Sequence, residues 1–195
     1  MEIKNIVTYE MDQNCYLIKN GNKGILIDPG IDTEKILRET EDIDINYILL
    51  THCHFDHVFS CERLGKKIVG SSDCSENLKN PKIVLYNTFI KNGCDIIMKD
   101  GEEKDFDGIK VKCIYTPGHT SGCVCYKIEN NLFTGDTLFK RSIGRCDLPT
   151  GNGEILEDSI KNILYKMDDE IVVYPGHGES TTIGYEKKNN LYVTE

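Results

Sequence analysis

Apolar residues along the chain follow two patterns, short runs of strand length and longer stretches with helical spacing. The short runs predict strands at residues 15–18, 24–28, 46–50, 67–70, 109–115, 122–128, 131–134 and 171–174. Helical spacing covers residues 34–40, 56–64, 73–79 and 153–167. Asp32 or Thr33 caps the first helix, Gly65 follows the second, and Asn130-Asn131 predicts a hairpin turn. Residues 82–99 fit neither pattern clearly.

Histidine and aspartate, two residue types that commonly bind metals, follow several of these predicted strands. The strand at 46–50 leads into T-H-C-H-F-D-H at 51–57, and the strand at 171–174 leads into Y-P-G-H-G at 174–178. Two further segments, T-P-G-H-T at 116–120 and T-G-D-T at 134–137, also follow strands. All five histidines of the chain lie in these segments. Because rigid strands aim the side chains of the turns after them, we expect one shared site.

The spacing within these segments predicts two metal sites. His52 and His54 are two positions apart, so on extended backbone their side chains point the same way. The predicted ligands are His52, His54 and His119 for the first site, Asp56, His57 and His177 for the second, and Asp136 as a bridge. Three side chains per ion leave a position for water, as in hydrolytic sites. Zinc is the expected metal, and iron or manganese also suits these ligands.

A structural zinc site is the main alternative for such a cluster. Structural sites are closed and rich in cysteine, whereas this set contains histidine and carboxylate. The nine cysteines include no C-x-x-C pair. Without a secretion signal they are expected to be reduced cytosolic thiols. Cys53 should point away from its neighbours His52 and His54, so we expect it to pack in the core.

The size and charge of the chain limit its domain number, its location and its binding partners. The 195 residues fit one soluble globular domain over positions 1–195. No apolar run approaches the roughly 18 residues that a membrane span needs, and the N-terminus lacks a signal peptide. These features predict a cytoplasmic protein without membrane contact. The net charge of −9 disfavours binding to nucleic acid. The oligomeric state stays open.

The four motifs, in this order and at these separations, resemble the metallo-β-lactamase superfamily. The similarity extends from about residue 28 to residue 186. It implies an α/β fold, namely a four-layer αββα sandwich. In this sandwich two mixed β-sheets pack face to face, helices cover the outside and the metals lie at one edge.

Within the superfamily, the chain resembles the small single-domain hydrolases of the glyoxalase II group. The similarity rests on G-D-T-L-F at 135–139, S-I-G-R at 142–145 and D-L-P at 147–149. It implies two divalent ions as cofactors and a small-molecule thioester of the S-2-hydroxyacyl thiol type as substrate. Asp56 is the expected catalytic residue, which orients the attacking water or accepts its proton. Longer glyoxalase II enzymes carry a C-terminal helical region that helps to hold glutathione, and those contacts are not carried over.

Other activities fit the same residues. Persulfide dioxygenases resemble this chain too, and they use a single iron held by the equivalents of His52, His119 and Asp136. The presence of Asp56, His57 and His177 favours two ions. Lactone or other ester hydrolysis stays open, since the same nucleophile attacks any activated acyl group. A non-enzymatic metal-binding or redox module would suit nine thiols, but the open ligand set argues against it.

Charged residues beside the predicted ligands suggest further roles. Lys140, Arg141 and Arg145 follow Asp136 and are predicted to bind a substrate carboxylate, for which arginine offers a bidentate fork. A solvated loop, or an Arg145 ion pair with a structural acid, explains them equally well. Asp28 ends its strand and is predicted to hold the ring of a metal-binding histidine.

Overall fold

The computed structural model describes residues 1–8, 11–86 and 90–194 of the chain. Its strands are β1 (Glu2–Thr8), β2 (Gln13–Asn20), β3 (Lys23–Ile27), β4 (Asp44–Leu49), β5 (Lys67–Gly70), β6 (Ile96–Ile97), β7 (Glu103–Phe106), β8 (Ile109–Tyr115), β9 (Val124–Ile128), β10 (Asn131–Gly135), β11 (Leu138–Phe139), β12 (Ser142–Ile143), β13 (Val172–Pro175) and β14 (Thr181–Thr182). Its α-helices are α1 (Thr33–Glu39), α2 (Phe55–Val58), α3 (Cys61–Leu64), α4 (Ser72–Asn77), α5 (Pro81–Val84), α6 (Gly153–Asp158) and α7 (Ile183–Asn189). In the described ranges, none of these helices is long and apolar enough to span a bilayer.

The strands form two mixed six-stranded sheets and one small hairpin. In the first sheet β1 to β6 lie side by side in chain order, antiparallel from β1 to β3 and parallel from β3 to β6. The second sheet has the order β14-β13-β10-β9-β8-β7, and only its β10–β13 pair is parallel. Strands β11 and β12 pair as a separate antiparallel hairpin. The parallel strands of both sheets present their carboxyl ends at the edge where the histidine segments begin.

Alternation of side chains along the strands separates the layers. Ile25 and Ile27 of β3 are buried between the two sheets, whereas Leu26 faces the helices on the outside. The layer between the sheets includes Leu49, Val69, Val111, Tyr126 and Phe133. Outside the first sheet Leu26 packs with Ile36, Ile48 and Val58, and outside the second Leu132 and Val173 pack with Leu156, Ile160 and Ile183. This arrangement confirms the predicted αββα sandwich.

One predicted helix is broken. The sequence predicts a single helix over 56–64, but α2 and α3 are separate short helices. Ser60 lies between them, and its N–H donates to the Pro29 carbonyl at 3.1 Å while its hydroxyl donates to the Gly30 carbonyl at 2.5 Å. These bonds to the loop after β3 compete with the bonds of a continuous helix. Gly65 ends α3 with a φ of 62°, as predicted.

Other predicted boundaries also shift. Over 153–167 only α6 is α-helical, and a π-helical turn, Ser159–Ile163, and a 3-10 turn, Leu164–Lys166, continue it. The wide turn begins at Ser159, whose hydroxyl donates to the Pro117 carbonyl of the loop that carries His119. The hairpin between β9 and β10 turns at Glu129-Asn130, because Glu129 takes the left-handed φ of 53°. Of the unassigned segment 82–99, residues 87–89 lie outside the described ranges.

Candidate metal centre

The predicted ligands lie together at one edge of the two sheets. His52, His54, Asp56 and His57 follow the end of β4, and Asp136 follows β10. His119 lies in the loop between β8 and β9, and His177 lies directly after β13. Strands of both sheets therefore contribute to the same cluster, which explains how residues far apart in sequence meet.

Three histidines form the first cluster. The ligand atoms of His52, His54 and His119 all lie within 4.8 Å of one another. His54 Nδ1 and His119 Nε2 are 2.8 Å apart. All three side chains are buried. The cluster therefore brings three nitrogen ligands around one point, as a metal ion requires.

A second cluster contains a carboxylate and two histidines. The ligand atoms of Asp56, His57 and His177 also lie within 4.8 Å of one another. Asp56 Oδ2 is 3.3 Å from His177 Nε2 and 3.6 Å from His57 Nε2. The side chain of His177 is 27% exposed, against 0% for His57, so the centre opens to solvent on the His177 side.

Asp136 lies between the two clusters. Its Oδ1 atom is 3.3 Å from His57 Nε2 in the second cluster. Its Oδ2 atom is 3.6 Å from His119 Nε2 in the first cluster and 3.7 Å from His177 Nε2 in the second. One carboxylate thus reaches both sets of ligands, which is the position that a bridging residue occupies.

Hydrogen bonds to the far side of each ring fix the histidine orientations. Nδ1 of His57 lies 2.9 Å from Asp28 Oδ2, Nδ1 of His119 lies 2.6 Å from the Arg145 carbonyl, and Nδ1 of His177 lies 3.0 Å from the Met11 carbonyl. Because these partners are acceptors, each Nδ1 carries a proton, and Nε2 is the atom of each ring that remains to bind a metal. All three Nε2 atoms face the cluster.

Asp28 and Thr51 brace the first cluster. The backbone N–H and the hydroxyl of Thr51 donate to Asp28 at 2.8 and 2.5 Å. Since the hydroxyl proton is used in this bond, Thr51 Oγ1 accepts from His52 Nδ1 at 3.1 Å, and His52 Nε2 is left with its lone pair. Asp28 therefore orients His57 directly and His52 through Thr51. The sequence predicts the role of Asp28 but not that of Thr51, whose only signal is its place beside His52.

Several buried ligand atoms lack a partner in the described part of the chain. His52 Nε2, His54 Nε2, His57 Nε2 and Asp136 Oδ1 are inaccessible to solvent and have no hydrogen-bond partner. Orphaned buried polar atoms are costly and rare in folded proteins. Four of them among the residues of the two clusters fit bound cations. The residues present therefore suit the metal ions that the sequence motifs predict.

The two clusters differ in electrostatics. Burial lowers the pKa of His52 well below its usual value and that of His54 to about 4, so both rings stay neutral at neutral pH. Burial also opposes the charging of His57 and His177, but Asp136 and Asp56 outweigh it and raise both pKa values. The neutral rings of His52 and His54 can bind a metal directly. His57 and His177 hold an extra proton, which a metal ion must displace.

The two carboxylates of the centre remain ionised. Burial alone would raise the pKa of Asp136, yet His57 and its neighbours hold that pKa well below the usual range. The pKa of Asp56 is also lowered, because His57 and His177 outweigh the effect of burial. At neutral pH the centre therefore offers two negative charges to a metal ion.

Glycines allow the close packing around the carboxylate bridge. A Cβ atom on Gly176 would collide with Asp136 Oδ1 and would lie 2.7 Å from His57 Cε1. Gly135 has a φ of 50°, and a Cβ there would overlap Thr51. Both positions therefore need glycine, for space at Gly176 and for space and backbone conformation at Gly135.

The three predicted substrate-binding residues lie in the turn of the β11–β12 hairpin or shortly after the hairpin, in different environments. Lys140 pairs with Glu179 at 2.5 Å, and Arg145 forms a bidentate pair with Asp147 at 2.7 and 2.8 Å. These pairs are exposed, and such pairs contribute little to stability. Arg141 has an exposed side chain and, among the described residues, no acidic partner. Substrate binding by all three remains a prediction.

The cysteines lie apart from the two ligand clusters. Cys53 is fully buried in the core outside the first sheet, as predicted from its alternation with His52 and His54. All nine cysteines are free thiols, and seven of them are buried. In the described chain, the groups of residues that could hold a metal contain histidine and aspartate only.

A family model of the metallo-beta-lactamase superfamily matches residues 8–177, and the chain belongs to this superfamily. It is 35% identical to the hydroxyacylglutathione hydrolase GloC of Haemophilus influenzae, over 99% of this chain and 98% of that protein. The crystal structure of the B3 metallo-beta-lactamase BLEG-1 superposes with a TM-score of 0.92 at 29% identity, covering 100% of both chains. The structure of TTHA1623 in a di-iron-bound form gives a TM-score of 0.84 at 29% identity, covering 97% of this chain and 100% of that one.

The similarities to known proteins and the geometry of the clusters indicate the same class of protein. The fold is that of the superfamily, and the described residues include His and Asp clusters that could bind metal. The chain is therefore a superfamily hydrolase with a candidate metal site, and a small-molecule substrate agrees with its hydrolase relative.

Proposed function

We propose that this protein is a metal-dependent thioester hydrolase of the glyoxalase II type. Its substrates would be S-2-hydroxyacyl thiols, and its cofactors would be two divalent metal ions, with zinc as the first choice and iron or manganese as alternatives. The proposed reaction consumes water and yields a 2-hydroxy acid and a free thiol. The single observation that carries the proposal is the contact of Asp136 with both ligand clusters.

Each cluster has its own task in this proposal. His52, His54 and His119 would hold the first ion, Asp56, His57 and His177 would hold the second, and Asp136 would bind both. Such ions would supply a water of lowered pKa and polarise the acyl carbonyl of the substrate. The Asp28 and Thr51 hydrogen bonds keep the rings in place without any rearrangement during the reaction.

Asp56 is the proposed acceptor of the proton from the attacking water. Its lowered pKa keeps it ionised, and its Oδ2 atom lies within the second cluster, 3.3 Å from His177 Nε2. The departing sulfur needs no strong acid, because a thiol of pKa near 8.5 leaves readily as a thiolate. A carboxylate base without a partner acid is therefore sufficient for a thioester.

The choice of substrate rests on the relatives. The curated relative with 35% identity is named a hydroxyacylglutathione hydrolase, and the alignment covers nearly the whole of both chains. Arg141, which is exposed and without an acidic partner among the described residues, supports binding of a carrier or acyl carboxylate.

A mononuclear iron persulfide dioxygenase is the competing function. It would need only His52, His119 and Asp136 as ligands. The second cluster favours the hydrolase, because the ligand atoms of Asp56, His57 and His177 lie close enough together to hold a second ion. A mononuclear enzyme would not need that ion. Two ions and thioester cleavage, against one ion and oxygen uptake, separate the two functions.

The proposal is tested by comparing Asp56→Asn with a matched surface variant, Asp42→Asn. Metal content and the rate of S-D-lactoylglutathione hydrolysis are measured for both proteins after loading with zinc. We expect two ions per wild-type chain and a loss of at least about a hundredfold in kcat/KM for Asp56→Asn, the usual range for removal of a catalytic base. Asp42 is exposed and lies away from the centre, so its variant should match wild type.

Two results would overturn the proposal. Asp56→Asn could keep its metals and a near-normal kcat/KM, which would remove Asp56 from the reaction. Alternatively, wild-type protein could hold a single iron and consume oxygen with a persulfide, which would support the dioxygenase.

A further inference from the structure

Glu186 is a buried acidic residue that the proposed reaction does not use. It lies in α7, the last helix of the described chain, and it is 0% exposed. Three donors bind its carboxyl group: Thr181 Oγ1 donates to Oε1 at 2.7 Å, while Arg141 N and Asn190 Nδ2 donate to Oε2 at 2.8 and 2.9 Å. A buried carboxyl group that accepts three hydrogen bonds keeps the groups that donate them in fixed positions.

One of these donors belongs to the hairpin next to the metal centre. In this hairpin, Leu138 pairs with Ile143 and Phe139 pairs with Ser142, so residues 140–141 form the turn. Arg141 in this turn has a φ of 60°, a left-handed conformation that side chains other than glycine seldom adopt. The bond from its N–H to Glu186 compensates for that conformation.

A second bond attaches the same hairpin to α7. Asn190, one turn after Glu186, donates from Nδ2 to the Ser142 carbonyl at 3.0 Å. Its Oδ1 atom accepts from the backbone N–H groups of Tyr192 and Val193, at 3.0 and 3.2 Å. Glu186 of α7 therefore binds the turn of the hairpin, and Asn190, the residue directly after α7, binds the start of β12.

The hairpin and the two residues that follow it lie against the metal centre. On one side, the Phe139 ring lies 6.1 Å from the ring of His177, edge to face. On the other, Gly144 packs against Asp136, and the Arg145 carbonyl accepts from His119 Nδ1 at 2.6 Å. The hairpin therefore lines the centre, and its turn carries Arg141, whose guanidinium has no acidic partner among the described residues.

We propose that Glu186 is a positioning residue, which sets the β11–β12 hairpin so that Arg141 can bind the carboxylate of a thioester substrate. This inference rests on the proposed function. Glu186 itself touches neither substrate nor metal. Its loss should therefore weaken substrate binding and leave the ligand clusters intact.

The variant Glu186→Met removes the acceptor and keeps the length of the side chain. We expect KM for S-D-lactoylglutathione to rise about tenfold while kcat stays within about twofold, the pattern of lost uniform binding. The content of zinc should remain that of wild type. Backbone amides of residues 138–143 should exchange faster with deuterium, because the hairpin loses its anchor.

Two matched variants separate positioning from general stability. Glu186→Gln can present its amide oxygen to Arg141 and Asn190 and its amide nitrogen to Thr181, so KM should return to within about twofold of wild type. Thr181→Val removes a donor to Glu186 Oε1 that lies outside the hairpin and should leave KM unchanged. If Glu186→Met does not fold, Asn190→Ala removes the donor to Ser142 and to Glu186 without adding a charge beside Glu186, and it should raise KM likewise.

The outcomes distinguish this inference from the proposed function. Wild-type protein without thioesterase activity would reject the proposed function, and amide exchange in Glu186→Met would still decide whether Glu186 anchors the hairpin. An active wild type with an unchanged KM and unchanged exchange in Glu186→Met would overturn the inference alone. A fall of kcat together with loss of zinc would also overturn it, since Glu186 would then act through His119.

Discussion

Asp28 holds His57 through a buried hydrogen bond of 2.9 Å between Oδ2 and Nδ1. Asp28 lies directly after β3 with a φ of 52°, which turns its side chain towards the histidine segment that follows the neighbouring strand β4. The same carboxylate accepts two bonds from Thr51. One residue at a strand end thus orients rings in both ligand clusters.

The substitution Asp28→Asn should weaken metal binding by about 10–100-fold, the usual effect of losing a partner behind a metal ligand. An amide oxygen replaces only one of the two carboxylate acceptors, so either His57 or Thr51 loses its bond. Asparagine tolerates a positive φ as well as aspartate does, so the backbone should not change. Competition with a chelator measures the affinity. Wild-type affinity in this variant would show that Asp28 does not orient the ligands.

Gly176→Ala should abolish metal binding at the bridge. The new methyl group would overlap Asp136 Oδ1, which must then move away from both clusters. Gly178→Ala is the matched control in the same turn: a Cβ there meets nothing within 4 Å, although its φ of 77° is strained. The control should cost roughly 1–2 kcal/mol of stability and keep its metals. Equal metal contents in the two variants would contradict the proposed place of Asp136.

Acid should destabilise metal-free wild-type protein more than metal-free His54→Gln. Burial lowers the pKa of His54 from 6.5 to about 4, so between these values the unfolded chain binds a proton that the folded chain refuses. Stability from this residue is therefore lost as pH falls from about 6.5 to 4. One pKa unit corresponds to 1.36 kcal/mol, so the difference should reach about 3 kcal/mol. Urea unfolding with a chelator at several pH values measures it, and a difference independent of pH would refute the prediction.

Alkylation should distinguish two of the nine thiols. Cys94 and Cys146 are half-buried, whereas the other seven are buried. Burial raises the pKa of Cys113, Cys123 and Cys125 to about 12, and reactivity requires the thiolate. Iodoacetamide at pH 8 should therefore modify Cys94 and Cys146 first, and the rest only after unfolding. Mass spectrometry identifies the sites, and early modification of Cys125 would contradict the packing of β9.

Local sequence signals predict much of this fold. Gly65 and Asp32 mark helix ends because each acts within its own turn, by a left-handed φ in one case and by a side-chain bond to Lys35 N in the other. The break at Ser60 could not be predicted in this way, because its partners Pro29 and Gly30 lie some thirty residues earlier. The αββα arrangement likewise came from the resemblance of the motifs rather than from strand patterns.

In the candidate centre, too, local signals could be predicted and contacts between distant residues could not. Histidine and aspartate types at characteristic spacings indicate metal ligands, and the structure brings all seven together. The sequence does not predict a role for Glu186, because a glutamate within a charged helical stretch resembles a surface residue. Its burial depends on the β11–β12 hairpin, with Arg141 45 positions away. Only the folded chain shows that contact.

The most direct test of the account is kcat/KM for S-D-lactoylglutathione hydrolysis by zinc-loaded protein, with chelator-treated protein as the blank. A metal-dependent value at or above about 10⁴ M⁻¹s⁻¹, the low end for working enzymes, is the predicted result. A value orders of magnitude lower, with both metal sites filled, would contradict the thioesterase function while leaving the fold and the ligand clusters in place.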